Sequence, residues 1–362
     1  MTETLLKTPF HAWHQAHGGR LVDFAGWEMP VQYTSITEEH TAVRTSIGLF
    51  DIAHMGRLAF SGPDACRLID SLVTNDIESL EVGRVCYALV CRDDGGILDD
   101  VLVYRFPEDY LLVVNASNRL KIVDWIESHR AGFDAEMVDR TVEWAMVAVQ
   151  GPGAVDVVAA VTDIDVATMG YYRCELGTVL GHPARVSRTG YTGEDGFELI
   201  VPAEAGAILW ESILAGGESV ACGLGCRDTL RLEAAMPLYG HELNELTDPY
   251  TAGLGFAVKP EAADFVGREA VVLARDRSDR KKRVGLRLNG RRIAREGALV
   301  VSGESTVGEV TSGTFSPTLE MAIAMAYVEP GVSEVGTTLE VDVRGKRVEA
   351  EVVKLPFYRR TK

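Results

Sequence analysis

Three short apolar segments, separated by two turn signals, constrain the fold of this chain more than any other feature. The segments are Val85–Cys91, Ile97–Phe106 and Tyr110–Asn115. The first break reads Asp93-Asp94-Gly95-Gly96 and the second Pro107-Glu108-Asp109. Because Gly, Asp and Pro favour tight turns, the pattern predicts an antiparallel meander of three strands.

The remaining segments mix helix and strand signals without the regular alternation that a doubly wound parallel sheet requires. The patterns predict helices over 9–17, 154–161, 203–215, 227–236 and 268–275, and strands over 141–150, 184–188 and 197–201. We therefore expect an α+β fold with antiparallel sheets.

A change of pattern near residue 283 indicates a separate C-terminal unit. From Arg283 onward the sequence consists of short strands and Gly-rich turns, which is typical of a small β-barrel or sandwich. The chain has 362 residues, too many for one ordinary core. The expected division is a first region over residues 1–275 and a β domain over residues 283–362.

The charge of the chain excludes two classes of partner. The formal net charge is −17, which repels nucleic acid and anionic membrane surfaces. No apolar run has the length of a membrane span, and the first residues carry no secretory signal, so a cytoplasmic location is expected.

Between Arg275 and Arg295, ten basic residues stand against two acidic ones. That segment is either a solvated helix end and loop or a docking patch for an acidic partner.

Two groups of potential metal ligands are interpreted as structural. His11, His14 and His17 lie three apart along one side of the predicted first helix. We expect them on a mostly exposed face, because structural metal sites usually combine ligands from more than one element. The cysteines lack the tight spacing of a zinc or redox motif and are expected as reduced thiols: Cys66, Cys86, Cys91, Cys174, Cys222 and Cys226.

The pair Asp99-Asp100 stands inside an apolar strand and is a candidate for chemistry. Successive strand side chains face opposite sides, so the two carboxylates are not expected to act as one pair, and Asp100 should share a face with Leu98 and Leu102. A carboxylate among apolar groups has a raised pKa, which suits proton handling or stabilising a developing cation. The alternative is an aspartate bonded to the backbone of the nearby turn.

Two further segments are candidate ligand contacts. The glycines of the segment from Gly190 to Glu198 allow the backbone to approach a ligand, and Tyr191 and Glu198 suit a flat heterocycle; a plain hairpin connection is the alternative. Arg227 stands in the first turn of a predicted helix, where it opposes the helix dipole. That cost requires a neighbouring carboxylate, such as Asp228 or Glu233, or an anionic ligand.

Several blocks of this sequence, in order, resemble the glycine cleavage T-protein (aminomethyltransferase) family over essentially the whole chain. The blocks are Leu21–Tyr33, Phe50–Gly56, Gly95–Val101, Val147–Pro152, Arg188–Glu198, Gly223–Glu233 and Thr311–Leu319. Departures are Cys226, where the family usually has alanine, and Glu320, where it usually has glycine.

The resemblance implies a three-domain, cloverleaf-like α+β enzyme with a central folate site. Two interleaved α+β domains would form residues 1–275, and the third would be a C-terminal β-barrel. The catalytic carboxylate would be Asp100. The folate pocket would be lined by Tyr87, Asn115, Tyr191, Glu198 and Arg227.

The implied reaction transfers the one-carbon unit of an aminomethyl group on the dihydrolipoyl arm of H-protein to tetrahydrofolate. The products would be 5,10-methylenetetrahydrofolate, ammonia and dihydrolipoyl H-protein. Tetrahydrofolate would be a co-substrate, H-protein the partner, and no metal would be needed.

Two other functions remain open on the sequence. A tetrahydrofolate-dependent demethylase on the same scaffold would use the same pocket with a different methyl donor. A non-catalytic folate-binding protein would bind folate without transferring a one-carbon unit.

Overall fold

The computed structural model describes residues 4–361. The α-helices are α1 His11–Ala16, α2 Ile36–Thr45, α3 Ala65–Leu72, α4 Arg119–His129, α5 Ala154–Ala159, α6 Ala203–Leu214, α7 Leu224–Glu233 and α8 Arg268–Arg275. The strands before α5 are β1 Arg20–Phe24, β2 Trp27–Gln32, β3 Ile47–Asp51, β4 Gly56–Ser61, β5 Arg84–Cys91, β6 Ile97–Arg105, β7 Tyr110–Val114, β8 Glu136–Asp139 and β9 Trp144–Gln150. The later strands are β10 Cys174–Val179, β11 His182–Ser187, β12 Gly196–Pro202, β13 Ser219–Cys222, β14 Lys282–Leu288, β15 Leu299–Ser302, β16 Ser305–Ser316, β17 Met321–Val328, β18 Thr338–Asp342 and β19 Arg347–Val353.

The predicted meander forms the core of a five-stranded antiparallel sheet, in the order β5-β6-β7-β4-β8. Its apolar residues pack against helices α3 and α4, where Leu68, Ile69 and Ile122 are almost fully buried. The meander prediction is therefore confirmed, with strand bounds within one residue of those expected.

A six-stranded sheet, ordered β10-β11-β12-β9-β3-β13, forms a second layer. Its strands β3 and β9 flank the whole five-stranded unit in sequence, so one unit is inserted into the other. Its core lies against α1, α5 and α6 and includes Phe10, Leu209 and Trp210. Within this sheet β13 runs parallel to its neighbour β3, and α3 to α6 with strands β4 to β12 lie between the two in sequence.

Strands β14 to β19 close into a barrel, ordered β14-β17-β16-β15-β18-β19. The barrel interior is lined by small and β-branched side chains, and Ala322, Ala324 and Ala326 of β17 are fully buried. Small residues on one strand allow the opposite wall to approach closely, which explains a filled barrel rather than an open sandwich.

Helix α7 joins the three units. It packs against α2 and β2, which adjoin the six-stranded sheet, and against β16 of the barrel, and its Leu230 shares a core cluster with Tyr104 of the five-stranded sheet. Inside this junction the guanidinium of Arg231 donates to Glu242 Oε2 at 2.8 Å and to Ser312 Oγ at 2.8 Å. Glu242 also accepts a hydrogen bond from Thr311 Oγ1 at 2.6 Å, so a buried ion pair ties the helix to the barrel.

The prediction of an exposed histidine face on the first helix is wrong. His11 and His14 are 5% and 0% exposed, and His14 bonds Asp51 Oδ2 through Nε2 at 3.0 Å. The hydroxyl of Tyr33 reaches His14 Nδ1 at 2.7 Å. The polar partners come from β2, β3 and the segment after β2, which the helix pattern alone does not reveal; only His17 stays exposed, stacked on Trp13.

Candidate active site

Asp99 and Asp100 lie on β6 in the interior of the molecule. Asp99 is 0% exposed and accepts hydrogen bonds from Asn118 Nδ2 at 2.6 Å and from the backbone N–H of Asn115 at 3.0 Å. Asp100 accepts from the hydroxyl of Tyr87 at 3.0 Å and from Asn115 Nδ2 at 2.8 Å. Tyr87 stands on β5 and Asn115 follows β7, so the three meander strands together build this group.

The two carboxylates share one donor, which corrects the expectation that they are separate. Asn115 Nδ2 lies 2.8 Å from Asp99 Oδ1 and 2.8 Å from Asp100 Oδ1. The amide carries two hydrogens and sits beyond the end of β7, where it reaches both sides of the neighbouring strand. The alternative of an aspartate held by the turn backbone does not describe Asp100, whose partners are side chains.

A bulge in β6 also changes the face that Leu98 occupies. The register of β5 against β6 shifts between Val90 and Cys91, leaving Leu98 without a partner. Leu98 therefore packs in the same core as Val101, whereas Leu102 lies on the other side with Tyr104. Asp100 shares its face with Leu102, as predicted, but not with Leu98.

Burial controls the charge of this pair. Removal from water raises the pKa of Asp100 to about 6, while the bonds from Tyr87 and Asn115 favour its ionised form. Burial, together with the neighbouring charge of Asp100, raises the pKa of Asp99 to about 8. The two carboxylates therefore titrate as a coupled pair, in which the bonds from Tyr87 and Asn115 favour ionisation of Asp100 over Asp99.

Phe256 extends the aromatic surface beside Asp100. Its ring centroid lies 6.0 Å from that of Tyr87, with the planes 23° apart, and its side chain is 65% exposed. The flanking residues Leu254 and Ala257 are buried, so the exposed ring is held on a fixed backbone.

The loop between β11 and β12 carries Tyr191. A Cβ on Gly190 would lie 2.0 Å from Gln150 Oε1, so a larger residue would displace the Gln150 amide from its bonds to Thr189 and Thr192. The Tyr191 hydroxyl donates to the carbonyl of Pro237, and Arg227 Cζ lies 4.8 Å from the centroid of its ring. Burial raises the pKa of Tyr191, and the charge of Asp100 acts in the same direction, which places the loop in the electrostatic field of that carboxylate.

Arg227 has no ion pair or hydrogen bond with any residue in the described range 4–361. The two carboxylates expected to offset its charge are bound elsewhere: Asp228 pairs with Arg231 and Glu233 with Arg44. Burial lowers the pKa of Arg227, whereas the nearby Tyr191 and Glu198 raise it. The helix begins at Leu224 rather than at Arg227, and the guanidinium is open to a ligand, with Glu198 as the carboxylate that acts on it through its charge.

Glu198 is a buried carboxylate with a free acceptor. It is 6% exposed, and its Oε2 accepts hydrogen bonds from Thr189 Oγ1 and, at 3.4 Å, from the Tyr104 hydroxyl. Within residues 4–361 no group donates to Oε1. Burial raises its pKa, whereas the bond from Thr189 and the charge of Arg227 favour the ionised form. The free oxygen is suited to a ligand N–H donor.

Sequence reasoning missed His54, although it lies within one of the motif blocks. His54 is 4% exposed and burial lowers its pKa to about 4, so the ring is neutral at pH 7. Its Nδ1 has no partner among residues 4–361. The Arg231–Glu242 pair was missed too; Glu242 stands in a loop with no pattern to single it out.

Within residues 4–361 no group of three or more His, Cys, Asp or Glu side chains is arranged to hold a metal ion, and the six cysteines are free thiols. Over the same range, the helices are too short or too polar to cross a bilayer. The aromatic and ionisable groups gathered around Asp100 are therefore the strongest candidate site.

Comparison with known proteins decides the family. The GCVT N-terminal domain matches residues 10–262, and the glycine cleavage T-protein C-terminal barrel domain matches residues 281–359. The chain belongs to the glycine cleavage T-protein family. An aminomethyltransferase of Streptomyces coelicolor is 49% identical over 99% of both chains, and one of Rubrobacter xylanophilus is 51% identical over 99% of this chain and 95% of its own.

A solved glycine cleavage T-protein has the same fold. The crystal structure of glycine cleavage system aminomethyltransferase T from Bartonella henselae covers 99% of this chain and 100% of its own, with a TM-score of 0.93 and 32% identity. The predicted α+β fold class with a C-terminal barrel, the family and the aminomethyltransferase function are thereby confirmed for this T-protein.

Proposed function

We propose that the space around Asp100 takes the pterin ring of tetrahydrofolate, and that this T-protein there completes the transfer of the one-carbon unit from the dihydrolipoyl arm of H-protein. The observation that carries this proposal is a set of groups left open around one half-buried carboxylate. Asp100 accepts hydrogen bonds from Tyr87 and Asn115, and within residues 4–361 neither Glu198 Oε1 nor the guanidinium of Arg227 has a hydrogen-bond partner.

These groups complement the chemistry of a reduced pterin. The ring is flat and carries N–H and amino donors, which a carboxylate accepts, and a carbonyl oxygen, which a guanidinium donates to. In the proposed arrangement Glu198 accepts from the amino edge, Arg227 contacts the folate, and the rings of Tyr87 and Tyr191 line the pocket with Asn115. The tyrosine faces supply the apolar contact that a heterocycle requires.

Asp100 is the proposed catalytic residue, acting through its charge. As a nitrogen of the folate attacks the one-carbon unit, positive charge develops at an iminium-like carbon. An ionised carboxylate in a low-dielectric site stabilises that charge without the reorganisation that water requires. Tyr87 and Asn115 fix its orientation before the substrates bind, and holding both reactants together supplies a further entropic advantage.

The proposed reaction balances without an external oxidant or a protein nucleophile. The carbon–sulfur bond to the lipoyl arm and the carbon–nitrogen bond to the leaving ammonia break, and two bonds form between the carbon and two folate nitrogens. The two protons released from those nitrogens are balanced by the proton gained at sulfur and the one gained at nitrogen. The products are methylenetetrahydrofolate, ammonia and the dihydrolipoyl arm.

The basic segment between Arg275 and Arg295 is the proposed docking surface for H-protein. Arg291 and Arg292 lie on the exposed turn after β14 and form no ion pair with any residue of the described chain. In a chain of net charge −17, such a segment is the part of the surface best suited to an acidic partner.

We place the reaction in the cytoplasm. We also propose that the first region ends at residue 275 and that the C-terminal domain begins at residue 283.

The function is tested by incubating the protein with tetrahydrofolate and aminomethylated H-protein and measuring methylenetetrahydrofolate and ammonia together. The proposal expects both products in equal amounts. Folate binding without either product identifies a non-catalytic binder, and turnover with a methylated sulfonium donor instead of H-protein identifies a demethylase. Either result contradicts the proposed reaction.

A further inference from the structure

The segment that follows the last barrel strand reaches back to the loop that carries Tyr191. Tyr358 lies in this segment, and its hydroxyl donates to Glu194 Oε1 at 2.6 Å. Its backbone N–H donates to the carbonyl of Glu233 at 2.9 Å. Arg360 approaches Asp195 Oδ1 at 3.3 Å. A part of the chain distant in sequence therefore contacts both acidic residues of the loop.

Arg44 of α2 occupies the centre of these contacts. Its Nη1 donates to Glu194 Oε1 at 3.0 Å and to the carbonyl of Thr192 at 2.8 Å, and its Nη2 donates to Glu233 Oε2 at 2.7 Å. Its Cζ lies 4.0 Å from the centroid of the Tyr358 ring. The side chains of Arg44, Glu194 and Glu233 are only 7%, 5% and 0% exposed, so water does little to weaken these bonds.

The outer half of the loop depends on this network. Thr192 and Glu194 are held from outside by Arg44 and Tyr358, whereas Tyr191, one residue earlier, points inward to the carbonyl of Pro237. Gly193 lies between the anchors with φ at +81°, and a Cβ there would meet Ala234 at 3.0 Å. Because Thr192 is joined directly to Tyr191 and Glu194 lies three residues after it, we expect a displacement of the anchored residues to move Tyr191 as well.

We propose that Tyr358 and Arg44 are positioning residues that hold the loop from Thr189 to Gly196 in the shape that places Tyr191 against the pterin. The inference rests on the proposed function, because it assigns the loop to the folate pocket. Neither side chain contacts the reacting atoms. The segment after the barrel thereby makes affinity for folate depend on the docking of the barrel against α2 and α7.

The test compares Tyr358→Phe and Tyr358→Ala with the intact protein in steady-state kinetics. Phe keeps the ring over Arg44 and loses only the bond to Glu194, whereas Ala loses both. For Tyr358→Ala we expect the KM for tetrahydrofolate to rise about tenfold, with the KM for aminomethylated H-protein within about twofold; Tyr358→Phe is expected between the two. Hydrogen exchange of the amides of residues 189–196 is expected to accelerate in the same order.

Tyr110→Phe provides the matched control. Tyr110 also lies beside an arginine, with Arg105 Cζ 5.6 Å from its ring centroid, but at the opposite end of β7 from Asn115. The control is expected to leave both KM values and the exchange of the loop unchanged. If Tyr358→Ala leaves the folate KM and loop exchange as they are, or raises both KM values equally, the positioning role is wrong. If the intact protein neither binds nor converts tetrahydrofolate, the proposed function itself fails.

Discussion

At the scale of single residues, the site depends on a carboxylate that the fold keeps ionised at a cost. Asp100 has lost most of its water but receives bonds from Tyr87 and Asn115, and its neighbour Asp99 takes up the proton that the pair retains. The raised pKa of both groups means that the folded state binds protons more tightly than the unfolded state. Their contribution to the free energy of unfolding therefore falls as the pH rises from about 4 toward 8.

The pH dependence of catalysis follows from the ionised form of Asp100. We expect kcat/KM for tetrahydrofolate to rise with pH and to level off above an apparent pKa of about 6. Steady-state rates between pH 5 and 8 at constant ionic strength measure this profile. The residual kcat/KM of Asp100→Asn is expected to show no rise around this pKa. The same rise in that variant would mean that another group causes the pH dependence.

The sequence was informative at this scale where a residue type broke a pattern. A charged pair inside an apolar strand and an arginine near the start of a helix both drew attention to residues that we now propose for the site. The joint hydrogen bonding of Asp99 and Asp100 was not predictable, because it requires Asn115 from a neighbouring strand to lie beside both. His14 was placed wrongly for the same reason, since its partner Asp51 is 37 residues away.

At the scale of elements, helix α7 carries two arginines one turn apart. We propose that one stabilises the fold and that the other binds folate. Arg231 is 1% exposed and bonds Asp228, Glu242 and Ser312. Arg227 lies beside the ring of Tyr191 and has no hydrogen-bond or ion-pair partner within residues 4–361. The first holds the barrel to the helix, and we propose that the second contacts folate.

The two arginines are expected to give opposite results when each is changed to glutamine. Arg231→Gln leaves Glu242 buried without its cation and should lower the free energy of unfolding by about 3–5 kcal/mol. Arg227→Gln removes a partly buried cation that has no partner, so stability should stay within about 0.5 kcal/mol while the KM for tetrahydrofolate rises about tenfold. Urea unfolding and steady-state kinetics on both proteins measure these effects. A loss of stability in Arg227→Gln equal to that in Arg231→Gln would contradict the separation.

The meander strands and the helices α6 and α8 were predicted to within one residue, whereas helices α2 to α4 and strands β1 to β4 were not among the predicted elements. Helix α7 begins at Leu224, three residues before its predicted start, and Gly223 stands immediately before it. Glycine fits there because a Cβ on Gly223 would lie 2.4 Å from the backbone of Val31, a contact that no local pattern reveals.

At the scale of the whole molecule, the three units contribute differently to the proposed site. The five-stranded sheet supplies Asp100 and its partners, the six-stranded sheet supplies Glu198 and the loop with Tyr191, and the barrel buries the far end of α7. The insertion of one unit between β3 and β9 brings the two sheets together. The periodicity of the sequence does not indicate that arrangement. It was expected only from the resemblance to the family.

The uneven charge of the molecule predicts a salt effect on one substrate. If an acidic H-protein docks on the basic segment 275–295, the KM for H-protein should rise several-fold between about 0.05 and 0.5 M salt, because screening weakens contacts between exposed charges. The KM for tetrahydrofolate, which binds in a buried site, should change much less. Arg291→Ala with Arg292→Ala should flatten the salt dependence; an unchanged slope in that variant would place the docking surface elsewhere.

The central claim is that the charge of Asp100 drives the transfer of the one-carbon unit, and single turnover tests it most directly. Enzyme in excess is mixed with tetrahydrofolate and aminomethylated H-protein, and methylenetetrahydrofolate is measured for the intact protein, Asp100→Asn and the exposed control Glu136→Gln. We expect the rate for Asp100→Asn to fall at least about a hundredfold, with tetrahydrofolate still bound, and the control to match the intact protein. A rate for Asp100→Asn within a few-fold of the intact protein would contradict the account.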